Sequence, residues 1–367
     1  MWLCSTIDVI EYTVLHLHRL LHLPGIIAVI MFSYWESVYC LLHRFFPSQH
    51  NGQQKIAQMV SAHKAKHSGQ KRRLAVVTGA ANGIGYETAK ALGMAGYTTI
   101  LACRNMKRAQ CALELLQSQT GLMDTFEVME LDLASFTSIK RFTDEFSGKY
   151  QQLHVLCCNA GVAFNQFDTT YDGIESQFGT NYVGHFVLID QLLPTMKQSG
   201  PARITIASSI AACMVHTLDY KRVTDIWRYD RFINYSTSKL ALMMLSAALA
   251  RRLKDSQVTV NAFHPSLTAT GLYRHVLFST LPGIHQFRTW LWLNQVNGSV
   301  TSVYLALSDR LEGKTGGYYA REQPTVVHPD AVSVEKQDRL WKFTEVLVAA
   351  NTHEPTVLSS INTPKDS

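Results

Sequence analysis

Leu74-Ala75-Val76-Val77-Thr78-Gly79-Ala80-Ala81-Asn82-Gly83-Ile84-Gly85 is the stretch on which the fold of this chain turns. Its apolar start reads as a buried strand. Three glycines follow at 79, 83 and 85, and a helical pattern begins at Ile84. Gly79 permits a tight turn, Gly83 lets backbone approach a pyrophosphate, and Gly85 lets helix and sheet pack closely. The unpaired N–H groups and dipole of a helix N-terminus favour an anion there. Three glycines could also serve packing alone; the strand–turn–helix setting is what favours a nucleotide.

Reading outward, strands are expected at 74–78, 98–102, 126–130, 155–158, 203–207 and 258–263. Helices are expected at 84–95, 107–120, 135–146, 176–196 and 233–253. Strands alternating with helices mean a parallel sheet covered on both faces, the doubly wound α/β Rossmann class. With glycines in its first turn, such a sheet binds a dinucleotide at that end. The chain of 367 residues is 47% hydrophobic and 17% charged, which excludes a disordered or collagen-like protein. Seven cysteines without a C-x-x-C pair argue against a disulfide framework and against a metal site.

The net charge of +6 is unevenly placed. Residues 1–73 hold eight Lys and Arg against three acids, and the rest of the chain holds 26 against 25. A balanced body argues against nucleic acid as a partner. Leu3, Ile7, Ile10, Val14, Leu17 and Leu21 share one helical face, Pro24-Gly25 interrupts, and 26–42 is apolar except for serines and Glu36. Residues 1–70 therefore read as an amphipathic, apolar leader and membrane anchor, dispensable for folding. Glu36 makes it a poor spanning helix. A soluble hairpin packed on the body and a cleaved signal peptide are the competing readings. Lys and Arg on its C-terminal flank would keep the body cytosolic if the segment spans. Residues 71–350 read as one catalytic domain and 351–367 as a flexible tail.

Further motifs follow the glycine turn in order: Asp132-Leu133; Cys158-Asn159-Ala160-Gly161; Asn181 in Asn-Tyr-Val-Gly-His-Phe; Ser208-Ser209; Tyr235-Ser236-Thr237-Ser238-Lys239; and His264-Pro265-Ser266 with Thr268 and Thr270. Each alone is weak, and one Y-x-x-x-K is about what chance supplies. Together they resemble the classical short-chain dehydrogenase/reductases, over about residues 72–350. Leu153-His154-Val155-Leu156, Leu311-Glu312-Gly313 and Leu272-Tyr273-Arg274-His275 are similar to the retinol-dehydrogenase-like branch. Two positions depart from the family pattern. Cys158 stands for an asparagine, and Ser266 for a glycine beside the nicotinamide.

The resemblance implies reversible hydride transfer between an alcohol and a ketone or aldehyde. It implies Tyr235, Lys239, Ser209 and Asn181 as catalytic residues. Gly79, Asn82, Gly83, Ile84, Gly85, Arg104, Asp132, Leu133, Asn159, Ala160, Gly161, Tyr235, Lys239, Pro265, Thr268 and Thr270 would bind the cofactor. Lys239, one helical turn from Tyr235, is expected to pull the phenol down toward neutral pH. Ser209 would bond the substrate oxygen, and Asn181 would hold a relay water. A catalytically lapsed scaffold is the alternative, supported only by the two departures. NADP(H) is expected over NAD(H): an acid ending the second strand would bond the ribose 2′-OH, but Cys103 and then Arg104 stand there.

The substrate is expected to be a lipophilic small molecule of retinoid, steroid or polyprenoid type. Twenty-six residues separate Ser209 from Tyr235, and that lobe carries Met214, Leu218, Ile226 and Trp227. The loop after Thr270 adds Leu272, Val276, Leu277, Phe278, Leu281, Phe287, Trp290 and Trp292. These residues could equally pack on the body or dip into a membrane. A membrane surface is the expected partner, at the endoplasmic reticulum or a lipid droplet, and a homodimer is compatible with the resemblance.

Overall fold

A computed structural model describes residues 51–69, 71–268 and 292–352, with residues 34, 37, 38, 40, 41 and 290. Six strands fall within one residue of their expected ends: β1 (Arg73–Thr78), β2 (Tyr97–Cys103), β3 (Phe126–Glu130), β4 (Val155–Cys158), β5 (Ala202–Ala207) and β6 (Val258–His264). They pair in parallel in the order β3-β2-β1-β4-β5-β6. β7 (Tyr318–Ala320) continues the parallel run, and β8 (Gln323–Pro324) pairs with it antiparallel. Three and two residues are too few to carry a readable period, so sequence patterning misses both.

The strand order reverses between β1 and β4, because the chain winds outward through β2 and β3 before returning. That leaves a crevice at the carboxyl ends of β1 and β4. The inner strands are buried almost end to end because both faces are covered. Val76, Ile100, Leu156, Ile204 and Val260 enter one core. Ala75, Val77, Leu101, Val155 and Cys157 enter the other. Each fully buried Val, Ile or Leu contributes roughly 1.5–3 kcal/mol.

Helices cover the two faces. On one lie α1 (Gly52–Lys66), α2 (Gly83–Met94), α3 (Met106–Thr120) and α7 (Gln295–Leu307). On the other lie α4 (Phe136–Lys149), α5 (the run 176–198), α6 (Arg231–Arg252), the short α8 (Pro329–Val332) and α9 (Val334–Thr352). Within α5 a π turn, Gly179–Val183, precedes the regular segment Gly184–Gln198. Such turns displace carbonyls from the α ladder and recur at functional sites.

The division at residue 70 is where the structure differs most from the sequence reading. α1 falls in the stretch assigned to the leader, yet it packs on the body. Val60 and His63 are buried, and Ile56 and Met59 lie against the same core. The N–H of Gly52 donates to Asn297 Oδ1 at 2.9 Å, Lys66 pairs with Glu312 at 2.8 Å, and Lys55 pairs with Glu322. His63 stacks on Tyr97 with ring centroids 5.3 Å apart. Residues 56, 59, 60 and 63 form a helical stripe, diluted in sequence by Lys, His and Gln neighbours. The amphipathic stretch 3–21 and the tail from 353 lie outside the described residues. Among the described residues no helix is long and apolar enough to cross a membrane.

Candidate active site

A cavity of about 300 Å³ opens in the crevice. Gly79, Asn82, Gly83, Ile84, Arg104, Asp132, Leu133, Asn159, Ala160, Gly161, Ser209, Tyr235, Lys239 and Pro265 all line it. Gly79 and Gly83 have φ of +67° and +64°, a region other residues enter only with strain. Gly85 sits behind the wall. A Cβ there would lie 2.5 Å from Asn159 Nδ2 and 2.6 Å from Gly79 O, so its smallness lets the turn close on the β4 loop. Asn82 takes the N-cap position of α2 without a side-chain capping bond.

Thr78 joins the two halves. Its Oγ1 accepts from the N–H groups of Asn159 and Ala160, both at 2.9 Å, and lies 3.0 Å from His185 Nε2. His185 Nδ1 lies 2.7 Å from the carbonyl of Asn181, in the π turn. A carbonyl only accepts, so Nδ1 carries the proton and Nε2 accepts from the Thr78 hydroxyl. His185 is thus a structural histidine that ties Thr78 to the π turn. Burial pushes its pKa down to about 4.

Asn181 is fully buried. Its Oδ1 accepts from Val162 N at 2.8 Å, and its Nδ2 donates to Val162 O and Ser238 Oγ at 2.9 and 3.0 Å. Lys239 Nζ donates to Ala207 O at 2.8 Å and lies 5.7 Å from the Tyr235 ring centroid. Ser209 and Tyr235 line the same cavity. Ser209 also caps the turn Ile210–Met214, accepting from Ala211 N at 3.1 Å. Strand ends thus deliver Ser209, and α6 delivers Tyr235 and Lys239.

The short chain dehydrogenase family model matches residues 73–277, over half the chain. The chain belongs to that family. The dehydrogenase is 36% identical over 298 residues to short-chain dehydrogenase TIC 32 B, chloroplastic, of Brassica napus, covering 78% of this chain and 92% of the relative. It is 37% identical over 275 residues to human polyprenol dehydrogenase (73% and 83% covered). It is 35% identical over 287 residues to human retinol dehydrogenase 14 (74% and 85% covered). A crystal structure of an uncharacterized protein from Mycobacterium Paratuberculosis superposes with TM-score 0.60 at 29% identity, over 75% of this chain and 92% of that one. The dehydrogenase is an oxidoreductase of the retinol-dehydrogenase-like branch.

Both departures from the family pattern resolve physically. Cys158 is buried in the core and opposite Ile206, and it does not line the cavity. Ser266 lines the cavity with φ +57°, so it keeps the backbone shape that glycine adopts freely. Thr268 is buried outside the lining, its Oγ1 donating to Pro265 O at 2.9 Å. Thr270 lies outside the described residues.

Arg104 is largely exposed, with Nε 4.0 Å from Asp132 Oδ2. Arg108 lines the same cavity and was not among the sequence candidates. The available signal was its position four residues after Arg104, across the start of α3.

The expectation that Lys239 draws the phenol down does not hold in the protein alone. Burial pushes the Tyr235 phenol up to about 12 and pushes Lys239 down to about 8. Both groups are buried, and desolvation penalises the charged form of each. The hydrophobic lobe is also split. Met214 and Leu218 are buried, Met214 in a cluster with Tyr235, whereas Trp227 is 93% exposed and Ile226 53%. Leu272 through Phe287 lie outside the described residues. Trp292 packs with Cys40, Leu267 and Leu293, and Trp290 is exposed.

Proposed function

We propose that the dehydrogenase interconverts a lipophilic alcohol of retinoid, steroid or polyprenoid type with its ketone or aldehyde, using NADP(H) in preference to NAD(H). The observation that carries this is that Ser209, Tyr235 and Lys239 line one cavity together with the glycine turn, Arg104 and Arg108.

The donor set fits a dinucleotide. The glycine turn and the N-terminus of α2 offer N–H groups to a pyrophosphate, and Asp132 lies at the β3 end. Arg104 and Arg108 offer forks to a 2′-phosphate, while no acid ends β2 to repel one. When bound, the nicotinamide supplies or accepts the hydride. Tyr235, neutral at pH 7 because of burial, gives its proton to the oxygen of a carbonyl substrate. Ser209 donates to the same oxygen as negative charge grows there. Lys239, protonated below about pH 8, lends positive charge to the phenolate left behind. Asn181 holds the Gly161–Val162 backbone beside Lys239, its side chain being committed to that loop and to Ser238.

Lipophilic substrates are supported by the relatives' names, retinol and polyprenol dehydrogenase, and by the apolar cluster of Ala163, Ile210, Cys213 and Met214 around Tyr235. The membrane surface as partner rests on the sequence of residues 1–50. The lapsed-catalyst alternative loses its support, since Cys158 is outside the cavity and Ser266 keeps the glycine-like backbone.

Tyr235→Phe tests the reading. Turnover of an isoprenoid alcohol should fall by about 10²–10⁴-fold while NADPH still binds, since only the ionisable oxygen is lost. Unchanged turnover would sink the mechanism.

A further inference from the structure

Phe164 is an aromatic residue with φ +59°. That region is a genuine outlier for a bulky side chain and costs about 1–3 kcal/mol unless its surroundings hold it. Here they do. The Phe164 N–H donates to Gln177 Oε1 at 2.7 Å. Gln177 is fully buried, and its Nε2 donates to Tyr229 OH and to Arg231 O at 3.1 and 3.0 Å. Tyr229 OH in turn donates to Asn165 O at 2.7 Å. The loop after Gly161 is therefore clamped on both sides of Phe164, from α5 and from the segment leading into α6.

The clamp has one visible result. It sets the Phe164 ring against the proposed catalytic tyrosine, 4.8 Å from the Tyr235 ring centroid, and 5.0 Å from that of Phe232. Asparagine or glycine would make the same turn at less cost. The ring is half-buried and packs on the cluster of Ala163, Met214 and Tyr235. It also lines a second cavity of about 560 Å³, which shares Arg104 and Val162 with the first. The strain is thus retained at a loop position that packs on the Tyr235 ring and borders a second cavity.

Resting on the oxidoreductase reading above, we infer that Phe164 is a specificity-determining residue, an aromatic wall that grips the hydrocarbon next to the alcohol carbon. Its chemistry selects an apolar, extended alcohol over a small or polar one, because a half-buried ring offers contact area and no hydrogen bond.

Phe164→Ala and Phe164→Gly test this in the full chain, the glycine variant also relieving the positive φ so that misfolding cannot mimic the result. Geranylgeraniol and cyclohexanol serve as long and short alcohols. Expected is at least a tenfold fall in the ratio of kcat/KM for geranylgeraniol over cyclohexanol in both variants. Geranylgeraniol binding to the NADPH complex, read by quenching of nicotinamide fluorescence, should weaken at least tenfold, with NADPH affinity within threefold of wild type. If both alcohols lose efficiency equally, the ring only supports Tyr235 and the inference is overturned. It is overturned too if geranylgeraniol binding is unchanged or absent in the wild type. Wild-type protein that binds geranylgeraniol but turns over neither alcohol refutes the oxidoreductase reading alone, and the binding comparison still decides the role of Phe164.

Discussion

Acidification should act first through His185. In the folded protein this imidazole is sealed between Thr78 Oγ1 and the Asn181 carbonyl, and its pKa falls from 6.5 to about 4 because burial disfavours the charged ring. A protonated ring would also lose its acceptor at Nε2 and leave the Thr78 hydroxyl without that partner. The folded pKa is depressed, so the unfolded chain binds the extra proton between pH 6.5 and 4. The stabilisation is present above the unfolded value and is lost as pH falls through that window. Between pH 7 and pH 5 the loss from this one group is about 2 kcal/mol. His63 and His154, also pushed down to about 4 by burial, add loss in the same direction. The assay is urea unfolding at pH 7 and pH 5 for wild type and His185→Gln. Gln lowers stability at pH 7 by about 1–3 kcal/mol, since a buried partner is lost. Its further loss on going to pH 5 should be smaller than the wild-type loss by about 2 kcal/mol. Equal pH-dependent losses in the two proteins would refute the bridge.

Other outcomes follow from the same geometry. Arg104→Ala combined with Arg108→Ala should raise KM for NADPH about tenfold or more, roughly 1.4 kcal/mol, with little change for NADH; equal effects would contradict the 2′-phosphate assignment. Gly85→Ala should cost about 1–3 kcal/mol by overpacking against Asn159 and the Gly79 carbonyl, and should weaken NADPH binding measured by calorimetry. Ser266→Gly should raise Tm by a few degrees, about 1 kcal/mol, by relieving the left-handed backbone; an unchanged or lower Tm counts against strain at that site. A chain beginning at Asn51 should unfold at a higher urea concentration than one beginning at Lys71, because only the former keeps Val60 and His63 buried.

Much of the site was legible because its parts are local. Val76–Gly85 carries strand, turn and helix start within ten residues, and Tyr235 and Lys239 need only one helical turn to meet. What escaped was set by partners distant in sequence. Arg108 looked like any surface residue of α3, and α1 like the end of a polar leader. Nothing around His185 announces Thr78, which is 107 residues away. Trp227 and Ile226, whose role the sequence left open, are exposed, since an apolar residue's destination depends on which surface its loop reaches.

By itself, the sequence determined the doubly wound class, the first six strands and the order of the dehydrogenase motifs. Those follow from side-chain periodicity and from turn chemistry, which act over a few residues. Only the tertiary structure decided that burial raises the Tyr235 phenol, that Ser266 keeps a glycine's backbone, and that bonds from α5 and from the segment leading into α6 hold Phe164 against the Tyr235 ring. Desolvation, strain and ring contact are properties of surroundings, and the surroundings of these residues are assembled from segments that meet only when the sheet is wound.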